Sequence, residues 1–552
     1  MATAPWSVEK YSPAAFHQLL SSRSKAPEHI IEEKLQSEYF DDYFGDSGIK
    51  AETMLVEHPY VDRDYLADFS GYYVKCFRRY RRKCTRIHFF DLAFTKEDFS
   101  ALLSGKEAAL TRKQLQDSYL GFIVIKPLPQ TIFGRTCLST YRSDNGRRHF
   151  VRRKYDVGLF GTALQVKSLA FQEQDTVTAA CATSSLWAAF HATGMLFHHH
   201  IPSPVEITKA ATDFSPFSRR ALPNDGLNMY EMANAIKAVG LEPFPVETDD
   251  ETSNEQDEGG GEDQFLGDYI LKSTAYAYLR AGIPIIMLES LKDISKGHTP
   301  KMLGYHAVTI SGYSLGLDTP IPEGDTDFAL KASRIDKLYV HDDQVGPYAR
   351  MEFTPWFLTT SRRSPLVVPG DEDAYIVDST GRCGNVGVFP DALLVPLYQK
   401  IRIPYETAHD AILVFDSLLG EMHNAGVMEL PERMEWDVYL SCVNEFKKNI
   451  FRRTDLTGPL RQHILERELP RFIWIADAWA GEEIVLSVIF DATDIEQGEL
   501  VVLCIEKSAA LRGILTALAG EKDLMDDLRS DPKVRAALPI MNWYARAGAG
   551  GA

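Results

Sequence analysis

A helix that is apolar almost all the way round and opens on a cysteine limits how this chain can fold more than any other feature. From Cys181 onward, Leu186, Trp187, Phe190, Met195 and Leu196 recur at helical spacing, with Gly194 near the expected stop. Such a helix must be buried, and the unpaired backbone N–H groups at its start favour an anion. Cys181 stands at that start, a position that suits the thiolate, the nucleophilic form of cysteine. Gln174 lies a few residues upstream, after a strand-like segment from Ala163 through Leu164, Val166, Leu169 and Phe171. Its side-chain amide and the Cys181 backbone N–H would together supply the two donors of an oxyanion hole. A lone cysteine in an apolar helix is ordinarily inert packing, so a catalytic role for Cys181 requires partners elsewhere in the chain.

A nucleophilic cysteine needs a base, and the base needs an orienting group. His306 opens a short β-like run from Gly304 to Tyr313, and Lys337 to Gly346 reads as a second strand that ends in Asp342 and Asp343. If the two strands pair, His306 and Asp342 come close. The carboxylate would then hold the imidazole in the tautomer that accepts the thiol proton. Asp343 competes for the role, because neighbouring strand residues point to opposite faces.

The order Gln174, Cys181, His306, Asp342 resembles the papain-like cysteine peptidases, and more closely their double-glycine leader-peptidase branch. Gly226 to Gly240 is similar to the second-helix signature of that branch, and Leu271 to Gly282 followed by Ile283 to Leu288 to its helix leading into the first barrel strand. The resemblance covers roughly residues 163–348. It implies an α+β fold, a helical half and an antiparallel β half, with Cys181, His306 and Asp342 as catalytic triad and Gln174 in the oxyanion hole. Two positions depart from the pattern. Cys181 is followed by Ala182 where many relatives carry glycine, and Tyr305 stands where the family often has glycine before the histidine.

At 552 residues and 62.0 kDa the chain is too long for one ordinary core. Three domains are expected: an N-terminal α+β accessory domain over 1–155, a papain-like peptidase domain over 156–400, and a C-terminal α+β domain over 401–552. The net charge of -18 argues against nucleic-acid or anionic-membrane binding and suits a cytoplasmic protein. Seven scattered cysteines without a CxxC pair indicate neither a disulfide framework nor a zinc finger. No window offers the roughly 20 apolar residues that span a bilayer. His198, His199 and His200 cannot all face one ion from a regular element. No cofactor and no metal site is expected.

The front region carries helix signals from Ser12 and over Glu28 to Leu35, a capping box at Thr95 and Asp98, and a strand from Gly121 to Leu128. Two basic clusters, over residues 75–86 and 147–154, offer a docking place for an acidic partner; the plainer account is a solvated face. The acidic, glycine-bearing tract over 248–263 reads as a flexible insertion. Near the C-terminus, Met434 to Phe451 has helical spacing, with another helix from Leu460 to Leu469. Strands are expected from Arg471, Glu483 and Glu499, the last two as a hairpin, then helices from Ser508 and Lys522. The tail over 547–552 is expected to be disordered.

These features predict a cysteine protease or isopeptidase acting on a protein or peptide substrate. An acyltransferase of transglutaminase type would use the same first half-reaction, and a papain-like unit kept as an inactive binding scaffold is the non-enzymatic alternative.

Overall fold

The computed structural model describes residues 5–106, 110–141, 146–175, 177–178, 180–213, 222–224, 226–247, 267–293, 301–316, 328–353, 366–367, 386–427, 434–495 and 499–548. The acidic tract over 248–263 and Cys383 lie outside them. The chain is α+β and divides into two compact units, one made of 1–267, 282–314 and 337–397, the other of 268–281, 315–336 and 398–552. The boundary expected near 155 falls inside the first unit, and that near 400 lies at a division. The second unit also takes two short pieces from the middle of the chain.

In the first unit, five antiparallel strands follow one another in chain order: Trp6–Lys10, Thr53–Tyr60, Cys84–Phe90, Tyr119–Ile125 and Phe133–Leu138. Cys84–Phe90 and Tyr119–Ile125 are buried along their whole length, as central strands covered on both faces must be. Helices Pro13–Ser24 and Leu35–Phe44 contribute an aromatic cluster to this core. Phe44 stacks on Phe89 at 4.0 Å, and Phe16 meets both rings edge-on. The capping box expected at Thr95 and Asp98 opens helix Lys96–Leu103.

A second sheet of the same unit closes on itself. Strands Ile285–Asp293, Lys301–Leu315, Ile335–Asp342, Gly346–Phe353, Leu366–Val367 and Val386–Tyr398 pair in that order, and the last returns to pair with the first. The predicted pairing of the His306 and Asp342 strands is therefore present. Closure leaves no free edge among these strands. Arg148–Phe150 joins the outside of the His306 strand, and there the backbone passes very near: a Cβ on Gly312 would lie 2.4 Å from the carbonyl oxygen of His149. Helices Cys181–Phe197, Pro204–Thr212 and Met229–Ala238 precede this sheet in the chain. The first runs past Gly194 and stops at His198, which takes a left-handed conformation at φ 60°.

The second unit is built on strands Ala329–Leu330, Glu435–Cys442, Phe472–Ala480, Glu483–Asp491 and Val501–Glu506, the first pair parallel and the rest antiparallel. The helix expected over Met434 to Phe451 is corrected here. Residues Glu435–Cys442 form a strand, and a helix begins only at Val443. Trp436, Val438, Leu440 and Cys442 alternate with Glu435, Asp437, Tyr439 and Ser441, the period of a strand rather than a helix, and the pairing of Trp436 with Ala478 and Leu440 with Trp474 realises it. Helix Tyr405–Asn424 has no counterpart among the sequence expectations. Its Asp416 accepts the Trp436 indole N–H at 2.7 Å. The tail is corrected in part, since helix Leu538–Gly548 includes residues 547 and 548.

Because a side chain on Gly312 has backbone rather than a movable side chain in its way, Gly312→Ala should lower stability by about 2 kcal/mol or more. Urea unfolding against wild type measures it; a variant of unchanged midpoint would mean that the close passage is not a constraint.

Candidate active site

Cys181 is the first residue of its helix, as predicted, and is half-buried. The loop before it is held by side chains on both sides of Gln174. The Glu173 carboxylate accepts the backbone N–H groups of Ile132 and Phe133 at 2.6 and 2.9 Å, and Asp175 accepts the Tyr73 hydroxyl and the Val177 N–H. Thr208 then anchors the loop by donating to the Thr178 carbonyl at 2.8 Å. One turn into the helix, the Ser185 hydroxyl donates to the Ala307 carbonyl at 2.8 Å while the Thr309 hydroxyl donates to the Ser185 carbonyl at 2.9 Å. These reciprocal bonds tie the helix to the strand that carries His306.

His306 is buried, and its ring meets the predicted partners. Nε2 lies 3.1 Å from Asp342 Oδ1, and the Cys181 side chain is close enough to the same imidazole to favour its protonated form. With Nε2 taken up by Asp342, Nδ1 is the nitrogen left for the sulfur. Asp343 Oδ1 is 3.7 Å from Nε2, beyond hydrogen-bond reach. Asp342 Oδ1 is itself oriented by the Gln344 N–H at 2.9 Å, and the Asp343 carbonyl accepts the Gln36 amide. Burial disfavours charge on the ring, yet the Asp342 carboxylate, its hydrogen bond and that of Cys181 outweigh it and hold the imidazole well above its ordinary range. Burial likewise pushes the Asp343 carboxyl up to about 7, against the pull of His306.

A groove of about 730 Å³ runs past this pair, with Cys181, His306, Asn224, Glu231, Glu289 and Asp391 among its walls. Tyr305, in the place of the expected glycine, stands largely exposed at its edge. Gln174, the predicted oxyanion donor, is half-buried and does not line the groove. The Cys181 N–H remains the donor supplied by the helix start.

Glu289 is a site residue that the sequence patterns do not single out. It is the cross-strand partner of His306 and only 1% exposed, and its Oε2 has no hydrogen-bond partner among the described residues. Burial, then Asp342, Asp391 and Asp343, push its carboxyl up to about 8 against the opposing influence of His306. The one signal in the chain is an acid directly after the apolar run Ile283 to Leu288, where a buried strand is expected.

Among the described residues, His306, Asp342 and Asp343 form a group whose donor atoms lie within 4.8 Å of one another. His199 is occupied otherwise, between the Thr193 hydroxyl and the His200 carbonyl. In the two basic clusters, Arg86 is committed to Glu57 and Tyr60, and Arg153 to Tyr155 and the His191 carbonyl. Phe77, within the first cluster, is fully exposed.

No protein-family model matches this chain, nor does any curated protein match it significantly.

An NMR titration of His306 should find its midpoint raised above that of a free imidazole; Asp342→Asn should move the midpoint down by about 1 pH unit or more, and Asp343→Asn by less. Equal shifts would deny Asp342 its special place. Glu289 binds a proton in the folded chain up to about pH 8 and in the unfolded chain only up to its ordinary 4.5. Its contribution to stability is therefore complete below pH 4.5 and lost as pH rises through 8. Glu289→Gln, neutral throughout, should gain on wild type by as much as a few kcal/mol between pH 5 and 9. A constant difference in unfolding free energy across that range would rule out a buried neutral acid.

Proposed function

We propose that the chain is a thiol hydrolase of papain-like type that cleaves a peptide or isopeptide bond in the groove beside Cys181. The observation that carries this reading is a helix-start thiol beside a buried imidazole whose Nε2 is bonded to a carboxylate. A groove that admits substrate to the sulfur adds to it. The closed sheet carrying the histidine and the acid, coming after a cysteine-headed helix in the chain, agrees with the family resemblance of the sequence.

In this mechanism the Cys181 proton rests on His306 as a thiolate–imidazolium pair, and the thiolate attacks the scissile carbonyl carbon. Asp342 fixes the ring and stabilises the imidazolium that forms. The Cys181 N–H donates to the oxygen of the tetrahedral intermediate. His306 then returns the proton to the leaving amine, giving a thioester, and deprotonates the water that hydrolyses it. The second oxyanion donor assigned to Gln174 in the sequence would have to come from that side chain turning toward the groove, or from another polar wall residue.

Cys181→Ala should lower turnover of any substrate found by proteome-wide mapping of cut termini by about 10⁴-fold or more, with the melting temperature little changed. Iodoacetamide should modify Cys181 ahead of Cys76 and Cys442, the other half-buried thiols among the described residues. A Cys181→Ala protein that still cuts would refute the hydrolase reading.

A further inference from the structure

The groove wall that carries Glu289 and Asp391 is acidic in a way that peptide-bond cleavage alone does not require. Glu289 is buried, lines the groove, and keeps Oε2 without a partner among the described residues. On the adjoining strand, two positions from Phe389, stands Asp391, whose two oxygens each accept from the Ser290 hydroxyl, at 2.9 and 2.8 Å. Leaving a carboxyl oxygen unpartnered in a buried place is costly. A ligand group able to donate to it would recover that cost.

The charges facing Glu289 say which kind of group. On the neighbouring strand is His306, already engaged by Asp342 and Cys181; at the end of the next strand are Asp342 and Asp343; on the strand at its other side is Asp391. Further along its own strand Lys292 lies over the Phe389 ring, 5.4 Å from the centroid. Glu231 lines the same groove from its helix. Negative groups prevail around the oxygen, so an anion is repelled there and a cation is attracted.

We propose that Glu289 and Asp391 form a subsite that receives a basic side chain of the substrate, the guanidinium of an arginine or the ammonium of a lysine, next to the reactive sulfur. This rests on the hydrolase reading of the groove and names its substrate class. When the cation enters, it donates to Glu289 Oε2, and the carboxyl proton leaves to solvent, so the pair formed is a carboxylate with an unchanged cation. The subsite is thus strongest above the pH at which Glu289 ionises and weaker below it. Specificity for basic residues then depends on the pH at which Glu289 ionises.

p-Aminobenzamidine, a fluorescent mimic of the arginine side chain, tests this on the full chain. Wild type should bind it more tightly at pH 9 than at pH 6, and the uncharged p-aminobenzamide should bind far less well. Glu289→Gln, an isostere of the protonated acid, should weaken amidine binding by about tenfold at pH 9; Asp391→Asn should weaken it as well, which guards against misfolding of one variant. Cys181→Ala should leave it in place. Amidine binding that is absent, that is matched by the neutral amide, or that survives both substitutions overturns the subsite. Iodoacetamide labelling of Cys181 and loss of cleavage in Cys181→Ala judge the hydrolase reading separately, so the failure of one is distinguishable from failure of the other.

Discussion

Two hydrogen bonds between the Cys181 helix and the His306 strand keep a sulfur and an imidazole in one groove. Ser185 and Thr309 each donate to the other segment's backbone, four residues beyond the thiol and three beyond the ring. Both are buried, so no water stands ready to replace either partner, and a lost bond would strand a carbonyl. The separation in sequence is over 120 residues for each bond. The cysteine and histidine therefore share a rigid register, and the remaining site is arranged around that register.

Electrostatically the site is one imidazole among acids. Asp342 is bonded to the ring, while Asp343 and Glu289 are near enough to feel its charge but not hydrogen-bonded to it. Three like charges cannot all be carried in so small a buried space. Two of the acids accordingly keep their protons to about pH 7 and 8. Division of labour among the carboxyls thus comes first from burial and then from which of them bonds the imidazole. Glu289 is one of the groove's lining residues.

Much of this is legible in the chain, and the part that is not has identifiable causes. The Cys181 helix, the Met229–Ala238 helix closed at Gly240, and the strands bearing His306 and Asp342 are local patterns, and they lie where their periodicity puts them. Glu435–Cys442 carries the period-two alternation of a strand, but it runs straight into the helix Val443–Arg452, whose Phe446 and Ile450 extend an apolar spacing that also fits a longer helix. Order along the chain points to Gln174 as a groove residue, whereas the side chain's place depends on how Glu173 and Asp175 on either side of it are anchored. Glu289 looks like an ordinary strand residue, since nothing local tells that position 289 faces position 306.

The sequence by itself determined the chemistry on offer and the local states: a thiol at a helix start, an imidazole and paired acids on strands, seven scattered cysteines in an acidic chain. These arise from nearest-neighbour periodicity and from the donor and acceptor inventory of each side chain. Only the tertiary structure decided which acid bonds the ring, which amide is kept out of the groove, and which carboxyl is buried beside the imidazole. Each of those depends on register between strands distant in the chain, and register is set by closure of the sheet and by burial, which no local stretch encodes.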